Sequence, residues 1–376
     1  MVSDLRSRLR SIGGMQKPAA ESRGLVVREH EEDADLRLFA LTQTALNRLG
    51  FDGAWPGAEN VLFLDTETTG LSGGAGTVAF MIGFGYLVDG RFRVEQYMMR
   101  AYADEPLLIL KAAEVMARFS AVVTFNGNNF DLPLLESRFT MARMRELWRP
   151  MQRLDLMHPA RRLWKRRLGS CRLEVLEREI LRRGRVDDLP GSEAPKRFFE
   201  AMRTGDIDPL EAVLDHNRMD VAALSHLLCA LHEAYHAPGL LTEAADLYSM
   251  GRVLERRGED EPAVRCYRAA ASPRPLSSIA ALRGERYAAE ANRAFSTMLR
   301  RAGEWTKAER VWLEMVRRRQ LGAWPLVELA KYYEHRAGRL YEALEMTKTA
   351  LAIADGDSEP LMRRLQRLKR KLEGNG

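Results

Sequence analysis

The sequence is poor in cysteine, and its cysteines lie in no spacing typical of metal binding. Among 376 residues there are three, Cys171, Cys229 and Cys266. An odd and small number of separated cysteines excludes a thiolate zinc site and is typical of proteins in a reducing cytoplasm. We therefore expect a cytoplasmic protein in which the three side chains are packing residues.

Long hydrophobic runs are also lacking. The longest largely apolar stretch, TVAFMIGFGYLV at residues 77–88, is well short of the roughly 20 residues that a membrane-spanning helix needs. The first ten residues, MVSDLRSRLR, carry charges but no apolar segment follows them. The sequence accordingly predicts neither secretion nor membrane anchoring.

Apolar residues are nevertheless abundant overall. They make up 46% of the chain, enough for a substantial core, and the length suggests two or three domains. Lysine and arginine together number 58 against 52 aspartates and glutamates, a formal net charge of +6. This modest excess permits a polyanionic partner such as nucleic acid without establishing one.

Residues 1–55 have a mixed pattern to which we assign no chemistry. An amphipathic helix is predicted near residues 2–12 and a strand at 24–31, GLVVREHE. A helix is predicted over 33–50, ending at Gly50. We treat this segment as an N-terminal extension of unknown role.

Residues 56–237 show the alternation of strands and helices that is typical of an α/β domain. Three strands joined partly by the hairpin turn Asp89-Gly90 precede a helix and a further strand. The predicted strands lie at 61–68, 77–88, 91–99 and 121–125, and the helix lies near 105–119. This order predicts a mixed β-sheet flanked by helices.

Residues 238–376 are predicted to be entirely helical and to contain a repeat. Glycine and alanine recur at matching positions: Gly303 and Ala308, Gly338 and Ala343, and, in a weaker copy, Gly258 and Ala263. A period of about 34 residues, with glycine at a turn and alanine where helices cross, resembles the tetratricopeptide repeat. The resemblance implies an all-α solenoid; the alternative is a helical bundle with coincidental spacings.

Two carboxylates interrupt the first strand of the α/β region, VLFLDTET. Asp65 and Glu67 are two residues apart, so on a strand they project from the same face. Their mutual repulsion would be relieved by a cation, and hard divalent ions prefer carboxylate oxygens. The alternative is that the pair enters solvent or caps the following turn.

A second group of polar residues follows the strand AVVTF, in the stretch NGNNFDLPLL. Asp131 stands immediately before Leu132-Pro133, where a helix is expected to begin, so it has an alternative role as a helix cap. However, Asn126 and Asp131 bracket the aromatic ring of Phe130 at this corner. A base or sugar could rest on that ring.

The third group lies on a predicted helix at 208–236. Asp220 is at the edge of the apolar stripe, His216 lies one turn earlier on the same side, and Asn217 falls within the stripe. A carboxylate facing the core is costly unless it is paired or binds a metal. A salt bridge to a local arginine is the alternative to a metal site here.

The three motifs together, D-x-E-T-T-G, then N-x-x-x-F-D, then H-N-x-x-D, resemble the DEDD group of RNase H-like 3'–5' exonucleases. The resemblance covers roughly residues 60–235. The stretch NGNNFDLPLL is similar to the second exonuclease motif of B-family DNA polymerase proofreading domains. The layout as a whole, with Gly83 in MIGFGY and appended helical repeats, resembles the bacterial YprB-like, ribonuclease H-like subfamily.

This resemblance implies a two-metal mechanism, in which two Mg²⁺ or Mn²⁺ ions bridge the scissile phosphate. The residues implied to hold the ions are Asp65, Glu67, Asp131 and Asp220. The candidate substrate contacts are Thr68, Thr69, Asn126, Phe130 and Asn217. His216 is the candidate general base, although it has the spacing of the Tyr branch of these enzymes and Asp215 occupies the position of the His-branch base. A histidine that only packs on the helix is the alternative for His216.

Ten basic residues lie between the second and third motifs, in the stretch 161–185, RRLWKRRLGSCRLEVLEREILRRGR. Such a run is usually a solvated helix face, and the other interpretation is a track for phosphates. The sequence thus predicts a metal-dependent 3'–5' exonuclease acting on DNA or RNA. The alternatives are a nucleic-acid-binding protein with little activity and an adaptor whose helical repeats hold a protein partner.

Overall fold

The structure is a computed structural model, and it describes residues 24–70, 76–148, 151–185, 189–272 and 279–373. The strands are β1 (Leu25–Asp33), β2 (Val61–Thr68), β3 (Ala79–Val88), β4 (Arg91–Met99), β5 (Ala121–Thr124) and β6 (Gln152–Asp155). The helices of the α/β region are α1 (Gln43–Leu49), α2 (Glu105–Met116), α3 (Asp131–Met141), α4 (Met157–Leu168), α5 (Leu173–Leu176), α6 (Ala194–Thr204) and α7 (Glu211–His236). The remaining helices are α8 (Ala244–Arg256), α9 (Asp260–Ala271), α10 (Ile279–Arg301), α11 (Trp305–Arg317), α12 (Trp324–Tyr332), α13 (Leu340–Ile353) and α14 (Glu359–Glu373).

In the described part of the chain, the six strands form one sheet in the order β1-β4-β3-β2-β5-β6. The pairs from β1 to β2 are antiparallel, whereas β2, β5 and β6 run parallel. The predicted mixed sheet flanked by helices is therefore confirmed. Strand β6 was not predicted, because its four residues QRLD are half exposed and show no hydrophobic alternation.

The N-terminal extension contributes an edge strand to this sheet. The predicted strand at 24–31 is present as β1, paired antiparallel with β4. The predicted helix at 33–50 is wrong in its first half, where a 3₁₀ turn at Leu36–Ala40 precedes α1. The chain is bent at Thr42, whose backbone N–H lies 2.9 Å from Nε2 of His232 on α7. The predicted helix near residues 2–12 lies outside the described residues.

Both faces of the sheet are covered, as strand periodicity requires. On one face, Leu62 and Leu64 of β2 belong to a buried cluster with α2 and α3. On the other face, Phe80 of β3 stacks on Phe198 of α6, with ring centroids 4.3 Å apart, and joins a cluster that includes the start of α7. The sheet is thus held between two helical layers, and its polar residues at the ends of β2 and β5 interrupt an otherwise apolar core.

From Ala244 onward, the regular elements of the described residues are all helices joined by turns. The three repeat glycines, Gly258, Gly303 and Gly338, have φ values of 75°, 77° and 67° and each lies in the turn before the second helix of a pair. This left-handed backbone is one that glycine adopts without strain. The three repeat alanines, Ala263, Ala308 and Ala343, are all completely buried.

The described residues divide into two compact units. The first comprises the described residues up to Pro159 together with Arg172–His232, and the second comprises Ala160–Cys171 and the described residues from Glu233 onward. All three cysteines are buried, as expected for packing residues. Among the described helices, none combines the length and apolar content needed to cross a bilayer.

Candidate active site

Asp65 and Glu67 lie on the same face of β2, next to β3. In the antiparallel register, Asp65 is opposite Gly83 and Glu67 is opposite Met81. Glu67 is only 9% exposed, and Asp65 is partly buried. The pair therefore does not leave the sheet into solvent, which was the alternative that the sequence allowed.

Gly83 lets helix α7 approach the sheet closely enough to reach Asp65. A Cβ atom at Gly83 would lie 2.2 Å from Oδ1 of Asn217 and 2.8 Å from the side chain of Val221. Asn217 Nδ2 donates a hydrogen bond of 2.8 Å to Oδ2 of Asp65, and Gln96 Nε2 donates one of 2.9 Å to Asn217 Oδ1. Asn217 is completely buried. It therefore positions Asp65, and the substrate contact that we expected for Asn217 is not available to its side chain.

Asp131 is held against β2 by a hydrogen bond from that strand. It is the first residue of α3 and is 6% exposed, while the N-cap position belongs to Phe130. Thr66 Oγ1 donates a hydrogen bond of 2.5 Å to Oδ1 of Asp131. Burial, together with the nearby carboxylate of Asp155, raises the pKa of Asp131 to about 6, and the Thr66 hydrogen bond acts in the opposite direction. Its environment therefore disfavours the charged form.

Asp155, at the end of β6, is a residue that the sequence analysis missed. Asp155 is 5% exposed. Its carboxylate accepts hydrogen bonds from the backbone N–H groups of Asn126 at 2.8 Å, Asn128 at 3.2 Å and Met157 at 3.0 Å. Asn126 has a φ of 68°, so Asp155 fixes a left-handed turn on the way to Asp131. Little in the sequence indicates it, because the short, half-exposed strand that carries Asp155 shows no hydrophobic alternation.

The third motif lies on α7, where His216 and Asp220 face the same side. His216 Nε2 lies 3.5 Å from Oδ2 of Asp220. Asp215 points elsewhere: its side chain is 69% exposed and lies 3.5 Å from Arg218. Of the two candidate bases, only His216 is therefore beside a candidate metal ligand.

Arg185 pairs with Asp220, which is the arginine contact that the sequence left open as an alternative. One guanidinium nitrogen lies 2.5 Å from Oδ1 of Asp220 and also contacts Glu177. Although burial favours the neutral form, the carboxylates of Asp220 and Glu177 raise the pKa of Arg185 above its ordinary value. Arg185 thus remains charged and compensates part of the negative charge in this region.

The three motifs converge electrostatically on Asp65. Burial raises the pKa of Asp65 well above its ordinary value, and the negative charges of Asp220, Asp131 and Glu67 raise it further. The hydrogen bond from Asn217 opposes this shift but does not cancel it. Carboxylates from β2, α3 and α7 therefore lie close enough to repel one another, and we call Asp65, Glu67, Asp131 and Asp220 the acidic cluster.

The acidic cluster has the donor chemistry of a site for hard divalent ions. Its oxygens are the ligands that Mg²⁺ and Mn²⁺ prefer, and its mutual repulsion is what a bound cation relieves. Among the described residues, no group of three or more histidine, cysteine, aspartate or glutamate side chains has the geometry to hold one metal ion. Oxygens of Asp65, Asp131 and Asp220 are instead engaged by Asn217, Thr66 and Arg185 respectively.

The remaining candidate substrate contacts differ in availability. Thr68 is 7% exposed, and its hydroxyl donates a hydrogen bond of 2.9 Å to the carbonyl oxygen of Gly70. The hydroxyl oxygen of Thr69 accepts the backbone N–H of Val78 at 3.0 Å. The ring of Phe130 remains partly exposed. Phe130, the residue before Asp131, therefore keeps part of its surface accessible.

Comparisons with known proteins place the α/β region in a known superfamily. Residues 62–232 match the sequence profile of the RNase H superfamily. Over 326 residues the chain is 30% identical to uncharacterized protein YprB of Bacillus subtilis (strain 168), covering 83% of this chain and 75% of that protein.

The fold comparison is weaker. The family B DNA polymerase of Pyrobaculum calidifontis aligns with 65% of this chain at 15% identity and a TM-score of 0.37. The alignment spans 30% of the polymerase chain.

Proposed function

Because the chain belongs to the same family as YprB and its residues 62–232 match the RNase H superfamily, we propose that it is a metal-dependent 3'–5' exonuclease that hydrolyses phosphodiester bonds in DNA or RNA. The observation that carries this proposal is the convergence of carboxylates from three separate elements on Asp65. Such repulsion is unfavourable for folding, and active sites are where it is commonly retained. Cleavage from the 3' end is the activity implied by the sequence resemblance.

Asp65, Glu67, Asp131 and Asp220 are the residues that would hold two divalent ions. Bound there, the ions would lower the pKa of a water molecule and stabilise the charge that develops on the leaving oxygen. Asn217 orients the carboxylate of Asp65, and Thr66 orients that of Asp131.

His216, beside Asp220, is the residue we assign to accept the proton of the attacking water. The exposed side of the Phe130 ring would stack on the terminal nucleotide. Thr68, Thr69 and the turn at Asn126 would line the same end of the strand.

The proposal is tested by incubating the full chain with end-labelled single-stranded DNA and RNA oligonucleotides. We expect a ladder of products shortened from the 3' end, which requires Mg²⁺ or Mn²⁺ and disappears with chelator. Asp65→Asn should lower the rate by at least about 10³-fold. Glu59→Gln, at an exposed glutamate shortly before β2, is the matched control and should keep full activity. Internal fragments, or metal-independent cleavage, would contradict the proposal.

A second function, nucleic-acid binding without cleavage, is favoured by the ion pair between Arg185 and Asp220. In this pair the guanidinium of Arg185 places a positive charge beside a carboxylate that would otherwise hold a metal ion. Calorimetric titration with Mn²⁺ separates the two functions. The exonuclease should bind Mn²⁺ and lose that binding in Asp65→Asn, whereas the binding protein should retain oligonucleotide affinity and bind no Mn²⁺ in either form.

We also infer that the pairs α8–α9, α10–α11 and α12–α13 are tetratricopeptide-like repeats of one solenoid. The inference is supported by the left-handed glycine before the second helix of each pair and by the completely buried alanine within that helix. A protein partner held by these repeats would be the adaptor role that the sequence left as an alternative.

A further inference from the structure

Two helices of the second unit line a pocket of about 300 Å³. On α4 the lining residues recur at helical spacing, and so do those on α8, so one face of each helix is turned towards the pocket. The basic lining residues are Arg161, Arg162, Lys165, Arg166, Arg252 and Arg256. We call this the basic pocket. The basic pocket contains the first basic residues of the stretch 161–185. The sequence allowed two interpretations of that stretch, a solvated helix face and a track for phosphates.

The positive charge of the basic pocket is not balanced from within. No aspartate or glutamate of the described residues is part of its lining. The nearby carboxylates of α8 form ion pairs with arginines outside the lining: Asp246 lies 2.7 Å from Arg167, and Glu255 lies 3.3 Å from Arg301. The charge of Glu255 also acts on Arg252 of the pocket. Like charges held together in this way repel, and a bound anion would relieve the repulsion.

A buried hydroxyl in the same pocket lacks an acceptor or donor. Ser249 is 2% exposed and lines the pocket, and its Oγ has no hydrogen-bond partner among the described residues. Buried polar atoms are nearly always hydrogen-bonded, because leaving one unpaired forfeits its hydration without replacement. Ser249 therefore indicates a ligand with a hydrogen-bonding group at this position.

We propose that the basic pocket binds a phosphate group. Arginine guanidinium groups form paired hydrogen bonds to phosphate oxygens, and the Ser249 hydroxyl can donate one more. A lining with six cationic side chains and no carboxylate among the described residues favours a multiply charged phosphate over a monovalent carboxylate ligand. This site goes beyond the proposed nuclease reaction, since it lies in the second unit and uses none of the acidic cluster.

The phosphate could belong to a nucleic-acid backbone or to a small phosphorylated molecule, and two probes distinguish them. The full chain is titrated with pyrophosphate and, separately, with a fluorescent single-stranded oligonucleotide, both in chelator so that no cleavage occurs. The double variant Arg161→Gln/Arg166→Gln should weaken binding of the true ligand class at least tenfold. Ser249→Ala, which keeps every charge, should weaken it severalfold.

The matched control is Arg310→Gln/Arg370→Gln, at two exposed arginines elsewhere in the second unit, and it should bind as the wild type does. Pocket-dependent binding of pyrophosphate alone identifies a small phosphorylated ligand, and pocket-dependent binding of the oligonucleotide identifies a strand. If neither affinity depends on Arg161 and Arg166, or if the control loses as much, the proposal is wrong.

Thermal unfolding shows whether a variant has lost binding because it is no longer folded. Removing two of six clustered like charges should not lower the melting temperature without ligand. Pyrophosphate or oligonucleotide should raise the melting temperature of the wild type and of the control but not that of the double variant. If the double variant does not fold, the test rests on Ser249→Ala. An affinity of Ser249→Ala for both probes equal to that of the wild type would contradict the proposal. Because all titrations contain chelator, their outcome is separate from that of the nuclease assay.

Discussion

Two buried carboxylate sites in this protein have opposite electrostatic surroundings. In the acidic cluster, the carboxylate of Asp131 is buried among other carboxylates, and its pKa is raised to about 6. In the second unit, Glu334 is buried against Arg364, Arg367 and Lys371 of α14 at 2.5, 2.8 and 2.9 Å. Although burial alone would raise the pKa of Glu334, the hydrogen bonds from Arg367 and Lys371 lower it to about 2.

Burial raises the pKa of the carboxylate at both sites. The neighbouring charges therefore determine whether the final pKa is high or low. Around Glu334 the neighbouring side chains are cationic, so the charged form of the carboxylate is stabilised without a ligand. Around Asp65, carboxylates outnumber the cation Arg185, and the excess negative charge works against folding. A site that stabilises the fold and a site that is kept for binding are therefore distinguished by their charge balance, not by their burial.

The sharpest test of this comparison is Asp131→Asn, which keeps the size of the side chain and removes its charge. We expect nuclease activity to fall by at least about 10³-fold. Stability at neutral pH should not fall, because a carboxyl whose pKa is raised on folding stabilises the native state only below its unfolded pKa and disfavours it above about 6. Activity assays and thermal unfolding at pH 7 measure the two effects.

The control for Asp131→Asn is Glu136→Gln on the same helix. Glu136 forms an exposed ion pair with Arg145 at 2.7 Å, so its loss should change neither activity nor stability by much. If Asp131→Asn retains activity and unfolds at a lower temperature, Asp131 contributes to the fold alone and the distinction between the two sites fails.

His216→Ala should lower the nuclease rate by about 10²- to 10⁴-fold, as expected for removal of a general base. Asp215→Asn is its neighbour and matched control, and it should keep nearly full activity because Asp215 is exposed and faces Arg218. Affinity for Mn²⁺ should be similar in both variants. Equal rates in the two variants would mean that His216 only packs beside Asp220.

Glu334→Gln should have the opposite profile, with stability lost and activity retained. We expect a loss of about 3 kcal/mol at pH 7, because three cations are left without their shared carboxylate. The folded-state pKa is below the ordinary value of 4.5, so the stabilisation is present above pH 4.5 and is lost as the pH falls towards 2.

Urea unfolding at several pH values measures this effect. In the wild type the free energy of unfolding should decline over that acidic range, and in Glu334→Gln this part of the decline should be absent. A variant that is as stable as the wild type at pH 7 would show that the Glu334 site contributes little net stability.

The features that the sequence predicts correctly depend on residues close together in the chain. The features that it misses depend on contacts between residues far apart in the chain. The shared face of Asp65 and Glu67 and the position of Asp220 at the edge of its helix follow from strand and helix periods, which are local. The contacts that set their chemistry join distant parts of the chain: Arg185 and Asp220 are 35 residues apart, Thr66 and Asp131 are 65 apart. No local pattern encodes these pairs.

The same limit explains the errors in the elements. The predicted helix at 33–50 has a favourable pattern throughout, but His232, which is 190 residues away, binds Thr42 and breaks it. Strand β6 exists because β5 offers it a parallel partner, although its own four residues carry no strand signal. Asn217 fits the apolar stripe of its helix, and only its contacts with Asp65 and Gln96 show why an amide is placed there.

The smallest expected effect concerns packing in the second unit, and it tests whether stability there is independent of the acidic cluster. Ala308 is completely buried in a cluster with Trp312, Met315 and Ala343, so Ala308→Leu should overpack the contact and cost about 1–3 kcal/mol. Ala352→Leu, at an exposed position of α13, is the control and should be neutral. Because the mutated contact lies wholly within the second unit, nuclease activity below the melting temperature should persist. A parallel loss of activity would mean that the acidic cluster depends on the packing of the helical repeats, and the separation of a stabilising region from a binding region would then be wrong.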